Sequence, residues 1–251
     1  MTDNNQAPAL WDGDRLADPH QQPDKSQRVR RMFDAIAPTY ERVNTLFSAG
    51  RDAGWRRAVV RMAHVGGQDT VLDIACGTGD LARAFAAAVP APRRVVGCDF
   101  AHEMLRHAVD RPAAGPLAWC EADALRLPFA DGSFSVTSCA FGVRNFQDLG
   151  VGLAEMHRVM APGGRCVILE FTRPANRLVR AVYELYTSRI MPWGAALVSR
   201  DRTGAYRYLP RSVVSFLDAA QMAAKLRQAG FASVDCRPLT FGAVTIYLAA
   251  K

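Results

Sequence analysis

The residues best suited to chemistry lie in one stretch, Val71-Leu72-Asp73-Ile74-Ala75-Cys76-Gly77-Thr78-Gly79-Asp80. A short apolar run gives way to two glycines and then to a helix-like sequence. Glycines at a strand-to-helix turn let a ligand approach the backbone closely. Asp99 follows 20 residues after Gly79, at the end of the next apolar run. A carboxylate there can accept both hydroxyls of a ribose. Gly77-x-Gly79-x-x-Ala82 also meets the loose dinucleotide fingerprint, so the glycines alone do not separate a nicotinamide from a methyl donor. Two acids favour S-adenosylmethionine. Asp73 would repel a pyrophosphate but attract a methionine ammonium, and Asp123, after the third apolar run, suits an adenine amino group. Without those acids the glycines would read as an ordinary turn.

Alternating strands and helices must position these groups. Strands are expected over Thr70 to Ile74, Arg94 to Cys98, Leu117 to Glu121, Phe134 to Ala140 and Arg165 to Phe171, with helices over Asp80 to Ala88, Ala101 to Val109 and Leu149 to Met160. Ala161-Pro162-Gly163-Gly164 ends the last of these, and Asp148 reads as its N-cap. Such alternation implies an α/β fold, a mostly parallel sheet covered on both faces. Val29, Met32, Phe33 and Ile36 recur at helical spacing, opening a helical segment, 25–64, ahead of the first strand. Ala232 to Arg237 and Ala243 to Leu248 suit a closing antiparallel hairpin.

Charge is unevenly spread. The 251 residues carry a net charge of +7, yet 71–171 are net −2 while 172–212 are net +6. This basic insertion also bears an apolar stripe, Leu178, Val182, Leu185, Tyr186 and Ile190, with Arg173, Arg177, Arg180 and Glu184 off it. A solvated arginine face is the plain account. No nucleic-acid motif is present, and no apolar run reaches the roughly 18 residues of a membrane span. The six cysteines form no C-x-x-C pair, which argues for free thiols and against a metal site. Residues 1–24 are rich in Pro, Gln, Asn and Asp, lack a signal-peptide core and are expected to form a disordered tail.

Longer motifs carry a resemblance. The Asp73–Asp80 stretch resembles motif I of class I methyltransferases. Leu127-Pro128-Phe129-Ala130-Asp131-Gly132-Ser133-Phe134, Phe141-Gly142-Val143-Arg144-Asn145, Leu169-Glu170-Phe171 and Tyr206-Arg207-Tyr208-Leu209 resemble the ubiquinone/menaquinone biosynthesis C-methyltransferases. So does Phe33-x-x-Ile36-Ala37-x-x-Tyr40-x-x-x-Asn44, and the likeness spans about residues 28–251. It implies a Rossmann-like, seven-stranded sheet with an insertion after the fifth strand. It also implies cofactor contacts at Thr78, Asp99, Asp123 and Ala124, which join Asp73, Gly77 and Gly79 of the glycine loop and Phe100 beside Asp99 as the expected cofactor-binding residues. Ala140 stands where the family has a serine or similar residue, which leaves only its backbone to serve. Ser135 and Arg211 stand where acidic residues are usual.

The resemblance further implies S-adenosylmethionine-dependent C-methylation of a prenylated quinol without a metal. Arg144, Asn145 and Tyr40 match the family's active-site positions. Arg144 is the candidate to stabilise a phenolate, since a guanidinium normally stays protonated, with Asn145 and Tyr40 orienting the oxygens. A structural ion pair for Arg144 and a core role for Tyr40 are the plainer accounts. Tyr183, Tyr186, Trp193, Tyr206 and Tyr208 are candidates to line the quinol path, and His157 reads as a boundary residue. A bilayer-held isoprenoid tail makes an anionic membrane surface the expected partner of the basic insertion, from the cytoplasmic side. A homodimer or a quinone-synthesis complex is the candidate assembly. The competing readings are a methyltransferase for another lipid or aromatic metabolite, a non-catalytic cofactor-binding subunit, and a nicotinamide dehydrogenase.

Overall fold

The computed structural model describes residues 10–186 and 203–251. Seven strands form one sheet: β1 (Thr70–Ile74), β2 (Arg94–Asp99), β3 (Leu117–Glu121), β4 (Phe134–Ala140), β5 (Met160–Phe171), β6 (Ser233–Leu239) and β7 (Val244–Ala250), in the order β3-β2-β1-β4-β5-β7-β6. The first five pair in parallel; β7 runs antiparallel between β5 and β6. The expected hairpin therefore forms, and its second strand is the one that joins the sheet. Val71, Leu72 and Ile74 are buried because β1 lies mid-sheet with helices on both faces.

The strand order reverses between β1 and β4, which opens a crevice at their carboxyl ends. Into it run the loops after β1, β2, β3 and β4. Helices α5 (Asp80–Ala86), α6 (His102–Val109) and α7 (Leu149–Arg158) return the chain between strands. Asp148 caps α7 by accepting from Val151 N at 3.0 Å.

Helices α2 (Lys25–Ile36), α3 (Tyr40–Phe47) and α4 (Asp52–Ala63) lead into β1. Val29, Met32, Phe33 and Ile36 form one apolar face of α2 and pack with Met104 of α6. Trp55, Val59 and Ala63 of α4 pack on the sheet instead, beside Val71 and Val167. Thus α2 and α4 anchor on different parts of the domain, with α3 between them over the crevice. In the basic insertion, α8 (Arg177–Leu185) buries no residue, and α9 (Ala205–Val214) is largely buried. The last helix is α10 (Ala219–Gln228), with a capping box at Asp218 and Gln221.

The expectation of a disordered tail through Asp24 fails for residues 10–24. Helix α1 (Gly13–Ala17) forms there, and Trp11 is 0 % exposed, its ring tilted 30° against that of Tyr208 with centroids 4.2 Å apart. Three apolar residues, Leu10, Trp11 and Leu16, anchor a segment whose average composition is polar. Two of the three departures from the family pattern, Ser135 and Arg211, have structural uses. Ser135 Oγ donates to Asp69 Oδ1 at 2.6 Å, and Arg211 Nε donates to Leu16 O of the same N-terminal segment at 3.2 Å.

Candidate active site

The glycine loop turns sharply because Gly79 adopts φ 84°. A side chain there would also strike the Trp119 ring at 2.2 Å. Gly79 thus shapes the turn, while Gly77 and Thr78 line recesses beside it. At the crevice floor, Gly142 lets the β4 loop approach Ala75; a Cβ at Gly142 would lie 2.7 Å from that of Ala75. Ala75 and Phe141 both hold left-handed backbone, φ 53° and 58°. Such residues cost about 1–3 kcal/mol each and persist where surrounding structure over-determines them.

A cavity of about 650 Å³ opens over the strand ends. Gly77, Asp99, Phe100, Asp123, Ala124 and Ala140 contribute to its wall. Asp99 is set by two backbone donors, Gly77 N at 2.8 Å and Ala101 N at 2.9 Å. Burial pushes its carboxyl up to about 6. Asp123 accepts from Leu125 N at 2.9 Å. A smaller recess of about 370 Å³ adjoins, lined by Asp73, Thr78, Asp80 and Arg56 among others. Asp73 accepts from Ser138 Oγ at 2.8 Å, but its Oδ2 is buried with no hydrogen-bond partner. Burial pushes that carboxyl up to about 7. A cationic group beside it would satisfy the orphan oxygen and reverse the shift.

These features fit S-adenosylmethionine: a carboxylate for a ribose, another for an adenine, and a starved acceptor where an ammonium would lie. When bound, that cofactor supplies an electrophilic sulfonium methyl. The unpaired buried acceptor of Asp73 suits a cation better than a pyrophosphate.

A second cavity, of about 720 Å³, lies beside the first and shares Tyr40 and Phe141 with it. Trp55, Phe171, Tyr183, Tyr186, Leu209 and Val213 give it an apolar, aromatic wall. Arg144 enters from a single 3-10 turn, Val143–Asn145. Its Nη1 pairs with Glu170 Oε1 at 2.7 Å, the side chains being 4 % and 0 % exposed. Burial opposes the arginine charge, but Glu170, Tyr208 and Tyr40 more than offset it, so the proton is held more firmly than usual. The ion pair and the cavity position therefore coexist. Arg144 Nε is buried without a partner.

Asn145 differs from expectation in place. It lines the first cavity, not the second. Its Oδ1 accepts from Tyr208 OH at 2.9 Å, and its Nδ2 donates to Phe141 O at 3.3 Å. The Phe141–Asn145 and Tyr206–Leu209 motifs thus meet through one hydrogen bond. Tyr40 stands where both cavities and the recess meet. Of the expected quinol-path aromatics, Tyr183 and Tyr186 line the second cavity, whereas Tyr206 and Tyr208 are core residues; Trp193 lies outside the described residues.

A model of the ubiE/COQ5 methyltransferase family matches residues 21–251. The chain belongs to that family. It is therefore a methyltransferase, and the fold is that of the class I, S-adenosylmethionine-dependent enzymes. A demethylmenaquinone methyltransferase of Deinococcus radiodurans is 45 % identical over 91 % of this chain and 94 % of its own length. A ubiquinone/menaquinone biosynthesis C-methyltransferase of Geobacter sulfurreducens is 40 % identical over 91 % and 90 %. Among solved structures, the methyltransferase partner of the Haloferax volcanii Trm112 activator matches with TM-score 0.61 and 20 % identity over 87 % of this chain and 96 % of that one. A Thermotoga maritima S-adenosylmethionine-dependent methyltransferase matches with TM-score 0.61 and 18 % identity over 88 % and 98 %. These two establish the fold alone.

Several contributors escaped sequence reasoning. Lys25 is buried, and its Nζ donates to the carbonyls of Arg144 at 2.9 Å and Phe146 at 2.6 Å, pinning the turn that carries Arg144. Ser48, Asp52 and Arg56 form a polar cluster in the second cavity. Asp52 and Arg56 are i, i+4 neighbours at the start of α4, but Ser48 lies in the turn ahead of it, past the left-handed Ala49 and Gly50, so no sequence spacing links the three. Among the described residues no cluster of His, Cys, Asp and Glu suits a metal.

Proposed function

We propose that this chain transfers a methyl group from S-adenosylmethionine to a ring carbon of a prenylated quinol, demethylmenaquinol or 2-polyprenyl-6-methoxy-1,4-benzoquinol or both. The observation that carries the reading is the aromatic cavity of about 720 Å³ that abuts the cofactor cavity at Tyr40 and Phe141 and holds a protonated Arg144. The relatives' names, which refer to demethylmenaquinone and to ubiquinone/menaquinone biosynthesis, support the substrate class.

The residues act by position and charge. Trp55, Phe171, Tyr183 and Tyr186 hold a flat apolar ring and exclude water. An aromatic carbon becomes nucleophilic as the neighbouring hydroxyl loses its proton. Arg144, fixed by Glu170, stabilises the negative charge that develops on that oxygen. Tyr40 orients the ring at the junction, and Asn145 acts by holding Phe141 and Tyr208. Asp73, Asp99 and Asp123 bind the cofactor through its ammonium, ribose and adenine.

Leu178, Val182 and Leu185 are 76 %, 63 % and 57 % exposed on α8, beside the second cavity's Tyr183 and Tyr186. With the insertion's positive charge they support docking on an anionic bilayer from the cytoplasmic side. Ile190 of the same stripe lies outside the described residues. No helix among the described residues is long and apolar enough to cross a membrane.

Incubation with labelled S-adenosylmethionine and each demethylated quinol, with products identified by mass spectrometry, tests the substrate. A singly methylated quinol is expected; label bound but never transferred would overturn the reading. Co-flotation with anionic but not neutral vesicles, weakened by salt, is expected of the membrane contact. Equal binding to both would contradict it.

A further inference from the structure

Methylation at an aromatic carbon releases a proton, so the acceptor cavity needs a base for the ring hydroxyl beside that carbon. The groups assigned above do not provide one. Arg144 holds its proton firmly against Glu170. Burial raises the phenols of Tyr40 and Tyr183, which leaves both as donors at neutral pH. Glu170 is fully buried behind Arg144 and does not line the cavity.

Among the described residues that do line it, Asp52 is the one carboxylate. Its Oδ1 accepts from Ser48 Oγ at 2.9 Å, and its Oδ2 pairs with Arg56 Nη1 at 2.7 Å. Arg56 is held from its other side by Asp80 Oδ2 at 3.1 Å, in the first turn of the helix that follows the glycine loop. Ser48 and Arg56 line the same cavity, and Arg56 also lines the recess with Asp73 and Gly77. The cluster therefore sits where the acceptor cavity approaches the cofactor loop. An acidic residue opening a helix, paired four residues on, is ordinary. That accounts for Asp52 and Arg56. It does not account for the Ser48 hydroxyl on Asp52, or for the whole cluster opening into an otherwise aromatic cavity.

We propose that Ser48 and Asp52 form the proton-accepting relay of the methyl transfer. The inference rests on the quinol reading above. The ring hydroxyl beside the target carbon donates to Ser48 Oγ, whose own hydroxyl donates to Asp52 Oδ1. As the new carbon–carbon bond forms and the methyl–sulfur bond breaks, the ring hydroxyl proton passes to Ser48 Oγ and the Ser48 proton to Asp52. The electron pair of the ring O–H bond becomes the carbonyl bond of a cyclohexadienone. Loss of the ring C–H proton to water restores the aromatic ring, and the carbonyl oxygen recovers a proton from Asp52 through Ser48. One methyl is gained, one ring proton is released, and no oxidant is consumed. Arg56 keeps Asp52 ionised before the transfer.

Single-turnover methylation of a demethylated quinol by Asp52→Asn, Ser48→Ala and Asp52→Glu, between about pH 6 and 9.5, tests the relay, with cofactor binding and thermal melting measured alongside. Asp52→Asn is expected to lose about 10²–10³-fold in rate at neutral pH. Its residual rate should then climb about tenfold per pH unit, because ionisation of the quinol in solution, near the pKa of about 10 of a phenol, replaces the relay. The unaltered protein should be flat over that range. Ser48→Ala, which leaves the Asp52–Arg56 pair intact, should show the same climb with a smaller loss, and Asp52→Glu should restore the flat profile. A folded Asp52→Asn whose profile stays flat, whatever its rate, would reduce Asp52 to a structural role and overturn the relay. If Asp52→Asn does not fold, a flat Ser48→Ala profile overturns it instead. Failure of the unaltered, cofactor-binding protein to methylate any quinol overturns the quinol reading, and the relay with it.

Discussion

The two cavities are built in opposite ways. The cofactor cavity takes its wall largely from strand ends of 71–171, a segment that is net negative, and its charged lining groups, Asp99 and Asp123, are carboxylates. The acceptor cavity takes its wall mainly from α3, α4, α8, α9, the loop after β4 and the end of β5, and it presents two guanidiniums, Arg56 and Arg144, to one carboxylate. One side suits a cation; the other suits an oxygen that gains negative charge. Strand ends are fixed by the sheet, whereas the acceptor side depends on packing among segments far apart in the chain.

That contrast can be broken most sharply at Arg144. Arg144→Gln should lower kcat about 10²–10³-fold while leaving the cofactor dissociation constant within about twofold. It also leaves Glu170 buried without its partner, which should cost about 3–5 kcal/mol of stability. Arg144→Gln combined with Glu170→Gln should regain much of the melting temperature but none of the activity, which separates the ion pair from the chemistry. On the cofactor side the opposite split is expected. Asp99→Asn should weaken cofactor binding about 10–100-fold by calorimetry with quinol binding unchanged. Coupled losses in both variants would dissolve the distinction between the two sides.

A smaller effect sharpens it at Lys25. Burial, reinforced by nearby Arg144, pushes Lys25 down to about 8, against 10.5 when exposed. Between those values the unfolded chain binds more protons than the folded one, so stability rises with pH across that window. Denaturant unfolding should show this rise in the unaltered protein and lose it in Lys25→Met. Turnover of Lys25→Met should fall about tenfold, since the Arg144 turn loses its two-carbonyl anchor.

The same contrast explains what could be read in advance. The sheet, its β1 glycine loop and the Asp99 and Asp123 positions follow from local patterns: a short apolar strand, a turn, an acid at the next strand end. Tyr40 and Arg144 were legible through motif resemblance, and both reach the acceptor cavity. Asn145 was legible as important but not in its role, because its partner Tyr208 is 63 residues away. Trp11 was hidden because composition averages over a polar segment, although one indole suffices to seat it on Tyr208. Lys25 was hidden because a lysine opening a helix ordinarily faces solvent. Ser48 and Asp52 carried no signal in the sequence; only the packing of α3 and α4 turns them toward a cavity.

The central claim is that the acceptor is a ring carbon held at the junction of the two cavities. Transfer from a donor carrying a deuterated methyl, with the product's methyl located by NMR, tests it most directly. The account predicts the deuterated methyl on the ring carbon next to a hydroxyl. A methyl on oxygen, or none transferred to the quinol at all, would contradict it.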